Sequence, residues 1–121
     1  MKKIALTISM LFITTNVFGD WESYGSVKGN EIYYDRSTIK KNGVVLRVWT
    51  YYNVNQNATS LLGLKQFDCL NETIKTLTIK EYTKLNLKGE ISYDSTPDNP
   101  QVDYIIPSSS DAALMKLVCK K

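Results

Sequence analysis

Between Val44 and Val54 the chain alternates. Val44, Leu46, Val48, Tyr52 and Val54 fall on one side with Thr50 among them, and Val45, Arg47, Trp49, Tyr51 and Asn53 fall on the other. That two-residue period is the signature of a strand with two unlike faces. Shorter runs rich in Tyr, Val, Ile and Thr predict further strands. Trp21–Val27 and Glu31–Asp35 flank a Lys-Gly-Asn hairpin turn. Ser37–Ile39 and then Lys40–Gly43 turn the chain into the long strand. Past the Asn55–Thr59 loop come Leu62–Leu70, with Phe67 and Cys69 on one face, and Glu72–Tyr82. Ile91–Asp94 and Val102–Ile106 follow, separated by the proline-bounded loop Ser95–Pro100, while Lys84–Gly89 reads only as an irregular lead-in.

After Pro107 the period lengthens. Ser108 with Asp111 three residues later is a helix-start pattern. Leu114, Leu117 and Val118 share a face at helical spacing, and Lys116, Lys120 and Lys121 suit the negative end of the helix dipole. Strands first and one helix last predict an α+β fold: an antiparallel sheet of about six strands packed against a single C-terminal α-helix.

The first nineteen residues have a different pattern. Lys2 and Lys3 precede an apolar run, Ile4–Ile13, and Val17 and Gly19 stand at the spacing of small residues before a signal-peptidase cut. The run is half the ~20 residues needed to span a bilayer. The expectation is a leader removed before Asp20, leaving one domain, Asp20–Lys121, with no membrane span; a retained anchor is the alternative. Without Lys2 and Lys3 the Lys and Arg total falls from 15 to 13 against 12 Asp and Glu. That balance gives no electrostatic case for nucleic acid.

Export places Cys69 and Cys119, the two cysteines of the chain, in an oxidising compartment. They are expected to form one disulfide tying the helix to a central strand. Closing a loop of about 50 residues is worth about 4 kcal/mol in the chain-entropy model. A redox pair would favour Cys-x-x-Cys spacing, and two cysteines without histidine make a poor zinc site.

Catalytic signatures are missing. The chain contains no histidine, no Gly-x-Ser-x-Gly elbow, no glycine-rich phosphate loop and no metal-ligand cluster. The carboxylates are scattered with no spacing that selects an acid–base pair. The expectation is therefore a non-enzymatic protein with no cofactor and no metal. Arg47, Trp49 and Tyr51, together on one face of the long strand, have the composition of a protein-binding hot spot. A curled sheet that buries this face is the competing outcome.

The mature region resembles the bacterial surface-adhesin protein E family, small exported domains of Gram-negative bacteria. The likeness rests on Asp20-Trp21 with Gly25, Tyr33–Ile39 (YYDRSTI), Val48-Trp49, Phe67–Cys69, Lys88–Glu90, Tyr104–Ser109 (YIIPSS) and Val118-Cys119. Two positions depart from the family pattern: Tyr104 stands where tryptophan is usual, and Pro107-Ser108-Ser109 replaces Pro-Gly-Ser. The resemblance implies a sheet pinned to its last helix by the Cys69–Cys119 bridge. It also implies an adhesin for host matrix or plasma proteins at the outer-membrane surface, a homodimer if it follows the family's best-known member. The alternative is a periplasmic inhibitor or accessory factor acting on another envelope protein. No binding residue carries over from the resemblance.

Overall fold

A computed structural model describes residues 20–120. The leader read from residues 1–19 lies outside them. The elements are β1 (Trp21–Val27), β2 (Asn30–Asp35), β3 (Lys40–Asn42), β4 (Val45–Val54), β5 (Thr59–Asp68), β6 (Thr73–Tyr82), β7 (Ile91–Ser95), β8 (Val102–Tyr104) and a helix, α1 (Ser110–Val118). Six strands form one antiparallel path in the order β1-β2-β4-β5-β6-β7, in keeping with the expected antiparallel sheet of about six strands. Two three-residue strands extend it: β3 beside β4, and β8 beside β6.

The long strands decide the architecture. All ten residues of β4 pair with β5, from Val45 opposite Asp68 to Val54 opposite Thr59. Residues directly opposite share a face, so the register sorts every side chain. Leu46, Val48 and Phe67 point toward α1, where Leu114 and Val118 meet them together with Tyr34 and Ile74. Phe67, Val48 and Leu114 are fully buried. This core occupies one half of the helix-side face. A nine-residue helix is about 14 Å long, too short to cover the rest, and Ile79 and Tyr93 remain exposed beyond its reach.

The start of α1 differs in detail from its prediction. Ser109, not Ser108, is the cap: its hydroxyl accepts from the Ala112 amide at 3.1 Å and donates to the Ile106 carbonyl at 2.6 Å. Asp111 sits in the first turn, where the helix dipole favours a carboxylate. Ser108 adopts φ 71°, the left-handed conformation glycine takes without penalty. This is the position at which the expected Pro-Gly-Ser turn has lost its glycine. Leu117, expected on the buried face, is 43% exposed. It lies one turn's fraction to the side of the Leu114–Val118 line, and that offset carries it past the edge of the contact with the sheet.

Cys69 and Cys119 are joined by a disulfide, with Cα atoms 5.7 Å apart. Cys69 is the first residue past β5 rather than a strand interior, and its amide extends the ladder by one bond to the Val44 carbonyl at 2.8 Å. Cys119 caps the helix, its amide donating to Met115 at 2.8 Å. The bridge therefore clamps the end of a central strand to the end of the helix.

Candidate binding face

The face of the sheet away from α1 carries Arg47, Trp49 and Tyr51 in a row, as alternation requires. Arg47 is exposed, and its Nε donates to Gln66 Oε1 at 2.9 Å from the neighbouring strand. Trp49 is half-buried, between the two outcomes anticipated for it. Its amide lies in the gap where the β2 ladder stops and the β3 ladder begins, and donates to the Thr38 hydroxyl at 3.2 Å. Thr38 in turn donates to the Asp35 carbonyl at 2.7 Å. The Tyr33–Ile39 segment thus ends in a turn fastened to the middle of β4.

Tyr51 is the centre of an aromatic cluster. Tyr33, directly opposite on β2, stacks on it with centroids 5.1 Å apart and planes 20° from parallel. Trp21 from β1 meets it edge-on at 4.8 Å. Both geometries are favoured by the ring quadrupoles. Burial, and the neighbouring Tyr33 after it, push the Tyr51 phenol above its ordinary pKa. Tyr33 is also anchored from outside, its hydroxyl donating to Glu31 at 3.2 Å.

One wall of the cluster comes from Lys84–Gly89, the segment that reads only as an irregular lead-in. Leu85–Leu87 forms a single tight turn, and both Asn86 and Leu87 take left-handed φ values of 62° and 60°. Such a conformation is unusual for leucine. Long-range hydrogen bonds hold it. Asn53 and Asn86 pair through a side-chain bond of 3.0 Å and an amide-to-side-chain bond of 2.8 Å. Ser60, fully buried, accepts from the Leu87 amide at 2.9 Å and donates to the Lys84 carbonyl at 2.7 Å. Gly89, at φ 82°, closes the segment where any Cβ would collide with the Thr83 hydroxyl. The result is a mainly apolar cleft of about 390 Å³ lined by Trp21, Tyr51, Asn86, Leu87 and Lys88.

Further along the same face the character becomes basic. Arg47 and Lys75 flank Gln66, and Lys80 is held by Asp94 at 2.8 Å. At the end near the chain reversal after β5, Asp68 accepts from the Leu70 and Asn71 amides at 3.0 Å each. Bonds from Asn71, backbone first and side chain second, hold the Asp68 carboxyl below the usual carboxylate range. Alternation groups Arg47, Trp49 and Tyr51 on one face, whereas Trp21, Tyr33 and Leu87 join them only through the register of β1 and β2 and the Leu85–Leu87 turn.

The model of surface-adhesin protein E matches residues 21–120. The chain belongs to the surface-adhesin protein E family. A search of curated proteins finds no match. Among solved structures, the fold of this adhesin-family domain is similar to that of Haemophilus influenzae protein E. Crystal form II of that protein superposes with a TM-score of 0.59 at 13% identity, over 73% of this chain and 79% of the other. Protein E from non-typeable Haemophilus influenzae gives 0.58 at 12% identity, over 82% and 74%. At such identity the likeness is one of fold. Among the described residues no helix is long and apolar enough to cross a membrane.

Proposed function

We propose that this protein is exported to the cell envelope and binds a protein partner through the face that carries Arg47, Trp49 and Tyr51, acting as an adhesin for host matrix or plasma proteins. The observation that carries the reading is the Trp21–Tyr33–Tyr51 cluster beside the Leu87 cleft, with Arg47 exposed farther along the same face, beyond Trp49. Rigid aromatics beside an arginine supply contact area at low entropic cost, which is how interface hot spots are built. Membership of a surface-adhesin family supports the same reading. A homodimer would meet through the exposed Ile79 and Tyr93 on the helix side, leaving the aromatic face free.

The test is capture from two sources with the folded domain, and with Arg47→Glu and Trp49→Ala. Retention of a protein from matrix or plasma extract that both variants lose supports the adhesin reading. Retention only from periplasmic extract moves the function to an inhibitor or accessory factor, and unchanged capture by both variants removes this face from consideration.

A further inference from the structure

Asp35 is a buried carboxylate, 5% exposed, at the end of β2. Its Oδ1 accepts from the Ser37 amide at 3.0 Å, from the Ser37 hydroxyl at 2.6 Å and from the Asp20 amide at 3.1 Å. Asp20 is pinned from its other side as well, its carbonyl accepting from the Arg36 amide at 3.1 Å. The nitrogen of Asp20 is therefore held against a buried acid.

Opposite charge reaches Asp20 and Glu22 but not Asp35. Arg36 Nη2 reaches Glu22 at 3.1 Å and Asp20 at 3.9 Å, both at the surface, and Asp35 is left to neutral donors. Tyr34 adds only a hydroxyl, donated to Glu22 at 3.2 Å. Of the three donors to Asp35, the Ser37 amide, the Ser37 hydroxyl and the Asp20 amide, only the Asp20 nitrogen becomes a cation when the peptide bond before it is cut.

We propose that cleavage of the Gly19–Asp20 bond creates this charge, and that the new N-terminus locks onto Asp35. Hydrolysis consumes one water, leaves a carboxylate on Gly19 and frees the Asp20 nitrogen as an α-ammonium. The bond from the Asp20 amide to the Asp35 carboxylate, in which only the acceptor is charged, becomes an ion pair in which donor and acceptor both carry charge, without movement of the chain. The precursor folds without the pair, and the processed chain is the more stable form. The proposal rests on leader removal before Asp20 and is independent of what the aromatic face binds.

Two chains test it: one beginning at Asp20, and one retaining Phe18-Gly19 ahead of it. The chain beginning at Asp20 is expected to have a folding equilibrium constant about tenfold larger. Asp35→Asn should abolish the difference, and equal constants for the two unsubstituted chains overturn the proposal. Should Asp35→Asn fail to fold, titration of the Asp20 α-amine in the unsubstituted chain decides. A pKa above the usual range of about 7.7–8.0 supports the pair, and a value within or below that range overturns it. Intact mass of the exported protein separates this inference from the functional one. A start at any residue other than Asp20 defeats the lock while leaving adhesion untouched, and a locked N-terminus on a protein that captures nothing defeats only adhesion.

Discussion

Tyr33 and Tyr51 lie opposite each other across the β2–β4 ladder with their rings stacked, and Trp21 meets Tyr51 at the edge. Tyr51 therefore belongs to both the fold and the proposed binding face. Aromatic pairs add about 0.5–1.5 kcal/mol each beyond their buried area. Tyr51→Ala should cost about 2–3 kcal/mol in urea unfolding. Arg47→Ala loses only an exposed bond to Gln66 and should stay within about 0.5 kcal/mol. Lost capture in the Arg47 variant is then a binding effect, whereas in the Tyr51 variant it is not separable from stability.

Leu114 and Leu117 make the helix contact measurable. Leu114 is fully buried against the sheet, and Leu117 is 43% exposed at its rim. Leu114→Ala should cost about 2–5 kcal/mol and Leu117→Ala under about 1 kcal/mol. Equal urea midpoints for the two variants would mean that the helix sits rotated about its axis.

Ser108 pays a conformational penalty at φ 71°, on the order of 1 kcal/mol for a non-glycine residue. Ser108→Gly relieves it. The expected result is a gain of about 0.5–1 kcal/mol with an unchanged denaturant slope, since the surface exposed on unfolding is the same.

Tyr24 governs the alkaline limit. Burial first, and the nearby Asp111 carboxylate second, push its phenol well above the ordinary value, opposed only by a hydrogen bond with Thr50. The native state then keeps the proton after the unfolded chain has released it. Its contribution to stability is whole below pH about 10 and is lost as pH rises beyond that, at about 1.4 kcal/mol per pH unit for one group. Tyr24→Phe should flatten the alkaline arm of a stability–pH curve. A residual slope belongs to Tyr33, Tyr34 and Tyr51, whose phenols burial also raises.

Alternation predicted β4 with both its faces because the helix covers one side only and the two sides differ in polarity. The bridge followed from the cysteine count and the expected compartment. What stayed hidden depends on register. Tyr33 meets Tyr51 only once β2 is placed opposite Thr50–Tyr52. Trp21 reaches them because β1 pairs with β2 from Trp21 opposite Asp35, a register that no local pattern encodes. The Leu85–Leu87 turn was illegible for a similar reason: its shape is imposed by Asn53 and Ser60, more than twenty positions earlier in the chain. The three residues of β3 read as turn because they are wholly exposed and pair along one edge only. Leu117 matched the helical pattern, and only the position of the sheet edge could exclude it.

The sulfur bridge encloses β6, β7, β8 and α1, and with them the exposed loop between Ser95 and Val102. A protease that nicks this loop cannot release either piece. The cut molecule should migrate as one band on a non-reducing gel and as two after thiol treatment. Whatever severs the backbone there leaves the aromatic face attached to the helix that buries the other side of its sheet, so damage at that loop would be borne without loss of the part.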